Sequence, residues 1–351
     1  MRLPILICCI SLLFASCETT EQKEENTKIS TEYFKMSGNT QGTTYNITYL
    51  NPKGMVMQQA VDSILTAYDE QLSTYKENSI ISKVNSSTDH VINLKDYGRS
   101  DEFMGCFNRA KEVYYRTNGS FNPALYPIVN YWGFFDGTQQ KDISLKAIDS
   151  ILLLTNFGEE YFNLKDNTLS KKFNNAQLDF NAIAQGHSVD VIANFFDSKG
   201  IENYMIEIGG EVTCNGVNQD GKLWSIGIDK PIENSVPGED LEFIANLENM
   251  SLATSGNYRK FYEIDGKKFS HTINPVTGSP VQHNLLSVTV ISKSCADADA
   301  YATAFMVMGL LNAMNFVNNN PDLELNAYFV FDANGEMNSS MTKGFEKYIK
   351  K

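Results

Sequence analysis

The chain has 351 residues, of which 42% are hydrophobic and 20% are charged. This composition supports a sizeable core and excludes a largely disordered protein. The 29 Lys and Arg residues against 42 Asp and Glu residues leave a formal net charge of −13. Such a surface repels a phosphate backbone, so we expect no nucleic-acid partner, and an anionic ligand would need a metal ion or local backbone donors.

Residues 1–16 have the layout of a secretory signal: an early Arg2, an apolar run too short to span a bilayer, and small residues at the end. The sequence Phe14-Ala15-Ser16-Cys17 resembles the lipobox of bacterial lipoproteins, in which cleavage leaves a diacylated Cys17. An ordinary signal peptide with an incidental Cys is the alternative. We therefore expect a lipidated Cys and flexible polar tether over 17–33, and a folded domain over 34–351.

This N-terminus predicts a bacterial lipoprotein that is anchored to the membrane and does not span it. We expect it to be extracytoplasmic, on the periplasmic side of the inner membrane.

Helices and strands are unevenly distributed along the rest of the chain. Alternation in Thr43–Leu50 predicts a half-buried strand. Apolar residues at helical spacing predict helices over 61–72, 101–117 and 183–196, and the long apolar stretch over 299–317 predicts a fourth.

Between the last two helices, strands are predicted over 203–208, 223–229, 243–247, 259–264 and 286–292. Turn signals lie at Asp220-Gly221 and Asp265-Gly266. Gly216 to Lys222 is a near-match to a phosphate-binding loop, but Leu223 stands where Ser or Thr is required, so we interpret it as a hairpin turn. The pattern predicts an α+β fold with two layers.

Four segments have a composition unsuited to simple core or loop: residues 178–190, 255–259, 270–280 and 298–304. The second is a tight polar turn before a strand and says little alone, while the other three contain candidates for chemistry. Asp179 precedes a helix and is most simply its N-cap. His271 lies at a strand end beside a turn, where it is either a structural residue or a proton-transfer group. Asp299 and Thr303 are four residues apart on one helical face. They could hold Mg²⁺, or they could be a capping Asp and a buried Thr.

Taken together, these segments resemble the ApbE family of flavin transferases, which move FMN from FAD onto protein. The resemblance covers roughly residues 36–345, and many ordered matches are more specific than any one of them. The matching segments are residues 42–45, 73–75, 121–123, 130–134, 179–186, 208–211, 224–228, 254–258, 271–280 and 298–309.

The resemblance implies a bipartite, two-layer α+β fold with antiparallel sheets and flanking helices. It implies a Mg²⁺ site formed by Asp299, Thr303 and the backbone carbonyl of Ala182, and it makes His271 the residue that takes the proton from an acceptor hydroxyl. The positions that correspond to FAD contacts in the family are Gln41, Tyr75, Ser120, Phe121, Asn122, Asp179, Gln185 and Ile273.

The reaction implied is Mg²⁺-dependent transfer of FMN from FAD to a Ser or Thr hydroxyl, with AMP released. The acceptors would be flavoproteins of extracytoplasmic electron-transfer complexes. An FAD pyrophosphatase that yields FMN and AMP is one alternative, and a non-catalytic FAD-binding surface lipoprotein is another.

The sequence departs from the family pattern at several positions. Gln185 replaces the usual Lys or Glu, Asn122 and Asn274 replace Asp, Thr272 replaces an apolar residue, and Gln41 replaces Met. These changes put substrate affinity in question more than reaction class.

Overall fold

A computed structural model describes residues 32–51, 55–135, 143–232, 236, 238–257, 261–264 and 267–351. The predicted signal, Cys17 and nearly all of the predicted tether lie outside these residues. Within them, no helix combines the length and the apolar character needed to cross a membrane.

The helices, numbered in chain order, are α1 (Gln58–Leu72), α2 (Ile80–Ser86), α3 (Asp101–Arg116), α4 (Tyr126–Tyr131), α5 (Leu145–Leu152), α6 (Ala184–Ser198), α7 (Cys295–Met308) and α8 (Leu310–Asn319). Short 3₁₀ turns occupy Leu94–Tyr97, Pro123–Leu125, Pro321–Leu323 and Glu346–Tyr348.

The strands are β1 (Tyr33–Thr40), β2 (Thr43–Leu50), β3 (Val91–Asn93), β4 (Phe162–Lys165), β5 (Thr168–Lys171), β6 (Asn203–Ile208), β7 (Glu211–Asn215), β8 (Trp224–Asp229), β9 (Leu241–Leu247), β10 (Met250–Gly256), β11 (Phe261–Ile264), β12 (Lys267–Ser270), β13 (Ile273–Asn274), β14 (Ser279–Pro280), β15 (Leu285–Ser292), β16 (Asn326–Ala333) and β17 (Glu336–Met341).

An eight-stranded sheet in the order β1-β2-β6-β7-β10-β15-β16-β17 forms one layer. Its neighbouring strands all pair antiparallel. The described residues also form four smaller sheets, β3-β5-β4, β8-β9, β11-β12 and β13-β14. The predicted α+β class, with antiparallel sheets and flanking helices, is confirmed.

Helix α7 lies against β10 and β15 of the large sheet and beside α6. Nearly every residue from Cys295 to Met306 is buried, as expected for a helix that is apolar around its whole circumference. Its carboxylates Asp297 and Asp299 are therefore buried as well. A buried carboxylate requires a partner, so this helix is the natural starting point for a functional site.

Two sequence predictions are wrong in detail. The helix predicted over 299–317 is two helices, because Gly309 has φ +76° and ends α7. The segment from Gly216 to Lys222 does turn, with the Gly221 amide donating to the Asn218 carbonyl over 2.9 Å. It is not a hairpin, however, since β7 belongs to the large sheet while β8 pairs with β9.

Candidate active site

A cavity of about 780 Å³ opens beside α7, within the size range of small-molecule sites. Every predicted site residue except Gln41 lines it. These residues are Tyr75, Ser120, Phe121, Asn122, Asp179, Ala182, Gln185, His271, Ile273, Asp299 and Thr303. Segments that are far apart in sequence therefore converge on one cavity.

Asp299 and Thr303, one turn apart on α7, line the cavity together with Ala182, which lies just before α6. We call these three residues the oxygen corner. In a regular helix the Gly186 amide would donate to the Ala182 carbonyl four residues back. Here it donates to Asp299 Oδ2 over 3.1 Å. No backbone amide of the described residues donates to the Ala182 carbonyl, so this oxygen remains available to a ligand.

The same corner depends on close packing of α6 against α7. A Cβ atom at Gly186 would lie 2.3 Å from the Cys295 carbonyl oxygen and 2.8 Å from Asp299 Cβ, so only glycine fits. Asp190 of α6 accepts hydrogen bonds from Ser294 Oγ (2.7 Å) and from the amides of Cys295 (2.8 Å) and Ala296 (3.0 Å). Asp190 thus caps the start of the helix that carries Asp299.

The cavity is lined by acidic side chains. Burial raises the pKa of Asp299 to about 7, and the charge of Asp190 adds to this rise, while the Gly186 amide opposes it. Burial and the charge of Asp299 also raise the pKa of Glu211 well above its ordinary value. The described lining residues include the carboxylates of Asp179, Glu211, Asp229 and Asp299 but no Lys or Arg.

The donors of the oxygen corner fit a hard divalent cation. A carboxylate, a hydroxyl and a free carbonyl are oxygen ligands of the kind that Mg²⁺ uses together with water and substrate phosphate. Across the described ranges, no group of three or more His, Cys, Asp or Glu side chains could hold a metal ion. The donors of the oxygen corner are oxygen atoms, unlike those of the nitrogen- and sulfur-rich sites of transition metals.

His271 lies in the wall of the same cavity, directly after β12. Its neighbour Thr272 is buried and donates from Oγ1 to Asn257 Oδ1 over 2.6 Å. Farther along this segment, Trp132 Nε1 donates to the Gly278 carbonyl over 2.8 Å. The segment that follows His271 is thus tied to the body of the domain at two points.

The ApbE family model matches residues 41–329, which is most of the chain. The chain belongs to the ApbE family.

Curated relatives in this family include a Vibrio cholerae protein named FAD:protein FMN transferase. It is 37% identical over 306 residues, which cover 85% of each chain. A Haemophilus influenzae protein of the same name is 31% identical, and the alignment covers 98% of this chain and 96% of the relative.

Solved structures agree with the family assignment. The flavin transferase ApbE from Vibrio cholerae superposes with a TM-score of 0.77 at 32% identity, covering 90% of this chain and 99% of its own. The apo flavinyl transferase ApbE of Pseudomonas stutzeri superposes with a TM-score of 0.78 at 29% identity. This superposition covers 90% of this chain and 96% of that chain. The predicted family and its fold are confirmed.

Departures from the ApbE family pattern have structural roles in this chain. The side chain of Asn122 donates to the Thr155 carbonyl (2.7 Å) and accepts from the Ala124 amide (2.9 Å). Its amide group is therefore already engaged. Asn274 Oδ1 accepts from the amides of Val276 (2.9 Å) and Thr277 (3.3 Å), which shapes the turn after His271.

Gln185 and Gln41 of this ApbE member approach each other through Ser188. Ser188 Oγ lies 2.7 Å from the Gln185 carbonyl oxygen and 3.4 Å from Gln41 Oε1. Gln41 itself is in the turn between β1 and β2, with φ 51°, and does not line the cavity. Ser188 lies between Gln41 and the cavity residue Gln185. The predicted contact of Gln41 with FAD stays a prediction.

Asp179 does not cap a helix, because the residue at the N-cap of α6 is Ile183. Instead Asp179 Oδ1 accepts from the Asn181 amide over 2.8 Å, and burial raises its pKa to about 6. Tyr75 lies at the cavity rim with 72% of its surface exposed, and the apolar wall is formed by Leu125, Val129, Phe134 and Phe135. These aromatic and apolar surfaces suit a flat ring system.

Sequence reasoning missed Asp190 and Glu211 as site residues. The signal for Asp190 was present in part, since it belongs to the segment over 178–190 that departs from simple core composition. Its partners lie more than a hundred residues later, and the pattern alone could not connect them.

Proposed function

We propose that this chain is a Mg²⁺-dependent FAD:protein FMN transferase. It would transfer FMN from FAD to a Ser or Thr hydroxyl of an acceptor flavoprotein and release AMP. The observation that supports this proposal most is the convergence of His271 and the oxygen corner on one acidic cavity. The names of the relatives point to the same activity.

An acidic cavity without Lys or Arg in its described lining would repel a pyrophosphate unless a cation were bound. We propose that Ala182, Asp299 and Thr303 hold Mg²⁺. When bound, this ion would neutralise negative charge on the pyrophosphate. We expect contacts with FAD from seven residues that line the cavity: Tyr75, Ser120, Phe121, Asn122, Asp179, Gln185 and Ile273.

In the proposed reaction the acceptor oxygen forms a bond to the FMN-side phosphorus while the anhydride bond to AMP breaks. AMP leaves with the electron pair of that bond. An imidazole nitrogen of His271 takes the proton from the acceptor hydroxyl. In this scheme the chain forms no covalent intermediate and contributes only positioning and charge. Catalysis therefore depends on the geometry of His271 relative to the oxygen corner.

The test is incubation of the purified protein with FAD, Mg²⁺ and a candidate acceptor, followed by mass spectrometry. We expect the acceptor to gain the mass of FMN less one water, and AMP to appear in equal amount. The same reaction without acceptor measures hydrolysis. Free FMN and AMP with no labelled acceptor would favour a pyrophosphatase, and FAD left unchanged would favour a binding protein; either result would overturn the proposal.

We also propose that the protein is an extracytoplasmic lipoprotein held at the inner membrane through Cys17. Within the predicted tether, the thirteen residues 18–30 that follow Cys17 could extend roughly 40 Å. The folded domain could then reach acceptors in membrane-bound electron-transfer complexes. This proposal depends on the Phe14-Ala15-Ser16-Cys17 pattern and the polar segment after it.

A further inference from the structure

Glu211 is a buried carboxylate that the proposed reaction does not yet use. It retains 8% of its surface exposed and lines the cavity. Its Oε2 atom is buried and has no hydrogen-bond partner among the described residues. Leaving a carboxylate oxygen buried and unsatisfied is costly, so its retention calls for a ligand.

The backbone of the β6–β7 hairpin fixes the position of Glu211. Ile208 pairs with Glu211 across the hairpin of β6 and β7, and the two residues between them are Gly209 and Gly210, with φ +63° and +110°. A two-residue turn with both φ values positive favours glycine and sets the register of the strands that follow. Glu211 therefore begins β7 at a defined position.

The neighbouring Glu207 provides a contrast within the same hairpin. Its Oε2 accepts from Asn46 Nδ2 over 2.7 Å, and its Oε1 accepts from the Gly210 amide over 2.8 Å. That carboxylate is partnered outside the cavity. Glu211 instead lines the same cavity as Asp299, with its buried Oε2 atom unpartnered among the described residues. A divalent cation between the two carboxylates would be attracted by both.

We propose that Glu211 is a further ligand of the divalent cation assigned to Asp299, Thr303 and the Ala182 carbonyl. This inference rests on the proposed metal site. Two carboxylates balance the charge of a divalent ion, so the ion could bind before FAD arrives and then accept the pyrophosphate oxygens. Glu211 would thus prepare the acidic cavity for an anionic substrate.

The experiment measures Mn²⁺ binding to the full-length protein in detergent, without FAD, from the loss of the electron paramagnetic resonance signal of free Mn²⁺. Glu211→Gln keeps the size of the side chain and removes its charge. We expect it to weaken Mn²⁺ binding by about tenfold or more. Glu211→Asp, which keeps the charge, should bind more tightly than Glu211→Gln. Glu207→Gln is the matched control and should bind like the parent.

A second readout is the melting temperature in EDTA. Glu211→Gln should gain less in melting temperature than the parent when Mn²⁺ is added in place of EDTA, because it has lost a charged ligand. Parent-like Mn²⁺ affinity in Glu211→Gln, with binding lost in Asp299→Asn, would overturn the role of Glu211 alone. If the parent bound no Mn²⁺, or if Asp299→Asn bound it unchanged, the proposed metal site itself would be wrong.

Discussion

Asp299→Asn should stabilise the metal-free protein while abolishing its response to Mg²⁺. Asp299 is 7% exposed, and its replacement by Asn leaves an oxygen that can still accept from the Gly186 amide. The substitution therefore removes charge with little change in shape. A buried, uncompensated charge costs folding free energy, so its removal should be favourable until a cation is added.

The magnitude follows from the proton affinity of the carboxyl group. Its pKa rises from 3.8 to about 7 on folding, which corresponds to at most about 4 kcal/mol at about 1.4 kcal/mol for each tenfold change in proton affinity. Below pH 3.8 the carboxyl is protonated in both states, so the penalty is absent there. The penalty grows as the pH rises and is complete above about pH 7.

The substitution should thus raise the free energy of unfolding by about 2 kcal/mol at pH 5.5 and about 4 kcal/mol at pH 8.5. Thermal unfolding in EDTA at both pH values measures the effect, with the exposed Asp96→Asn as the matched control. Saturating Mg²⁺ should stabilise the parent by about 2.7 kcal/mol at a hundred times Kd, and should not stabilise Asp299→Asn. Equal melting temperatures of parent and variant at both pH values would refute this reasoning.

Four other predictions concern the rest of the chain. His271→Ala should lower the single-turnover rate by about 10²–10⁴-fold with unchanged Mn²⁺ and FAD binding; a near-parent rate would exclude it as the base. Gly209→Ala places a Cβ atom 2.1 Å from Gln185 Nε2, so FAD titrations should show weaker binding. Gly221→Ala, which has similarly positive φ but no neighbour within 4 Å, is its control. Asp190→Ala removes the acceptor of the Cys295 and Ala296 amides at the start of α7 and should lower stability by about 1–3 kcal/mol in thermal unfolding; an unchanged melting temperature would contradict this capping role. Cys17→Ser should release the protein from the membrane fraction or block its processing, and parent-like fractionation without lipid on the mature N-terminus would contradict the anchor.

Local patterns in the sequence were sufficient for the fold class, for the longer helices and some of the strands, and for part of the site. Alternation and helical spacing predicted β2, α1, α3, α6 and several C-terminal strands, because burial on one face repeats at the period of each element. The four-residue spacing of Asp299 and Thr303 placed both side chains on one face, since one helical turn is a local property. The helix break at Gly309 was missed because apolar residues continue on both sides of it.

The tertiary structure decided which polar groups meet and which lack partners. The Gly186 amide contacts a carboxylate 113 residues away, and Asp190 caps a helix whose first residues lie 104 to 106 positions later. In the sequence, Glu211 resembles any polar residue at the start of a strand. Only in the folded structure do the hairpin and α7 enclose it. Local periodicity reports burial along one element, whereas hydrogen bonds and repulsions between elements depend on how those elements pack.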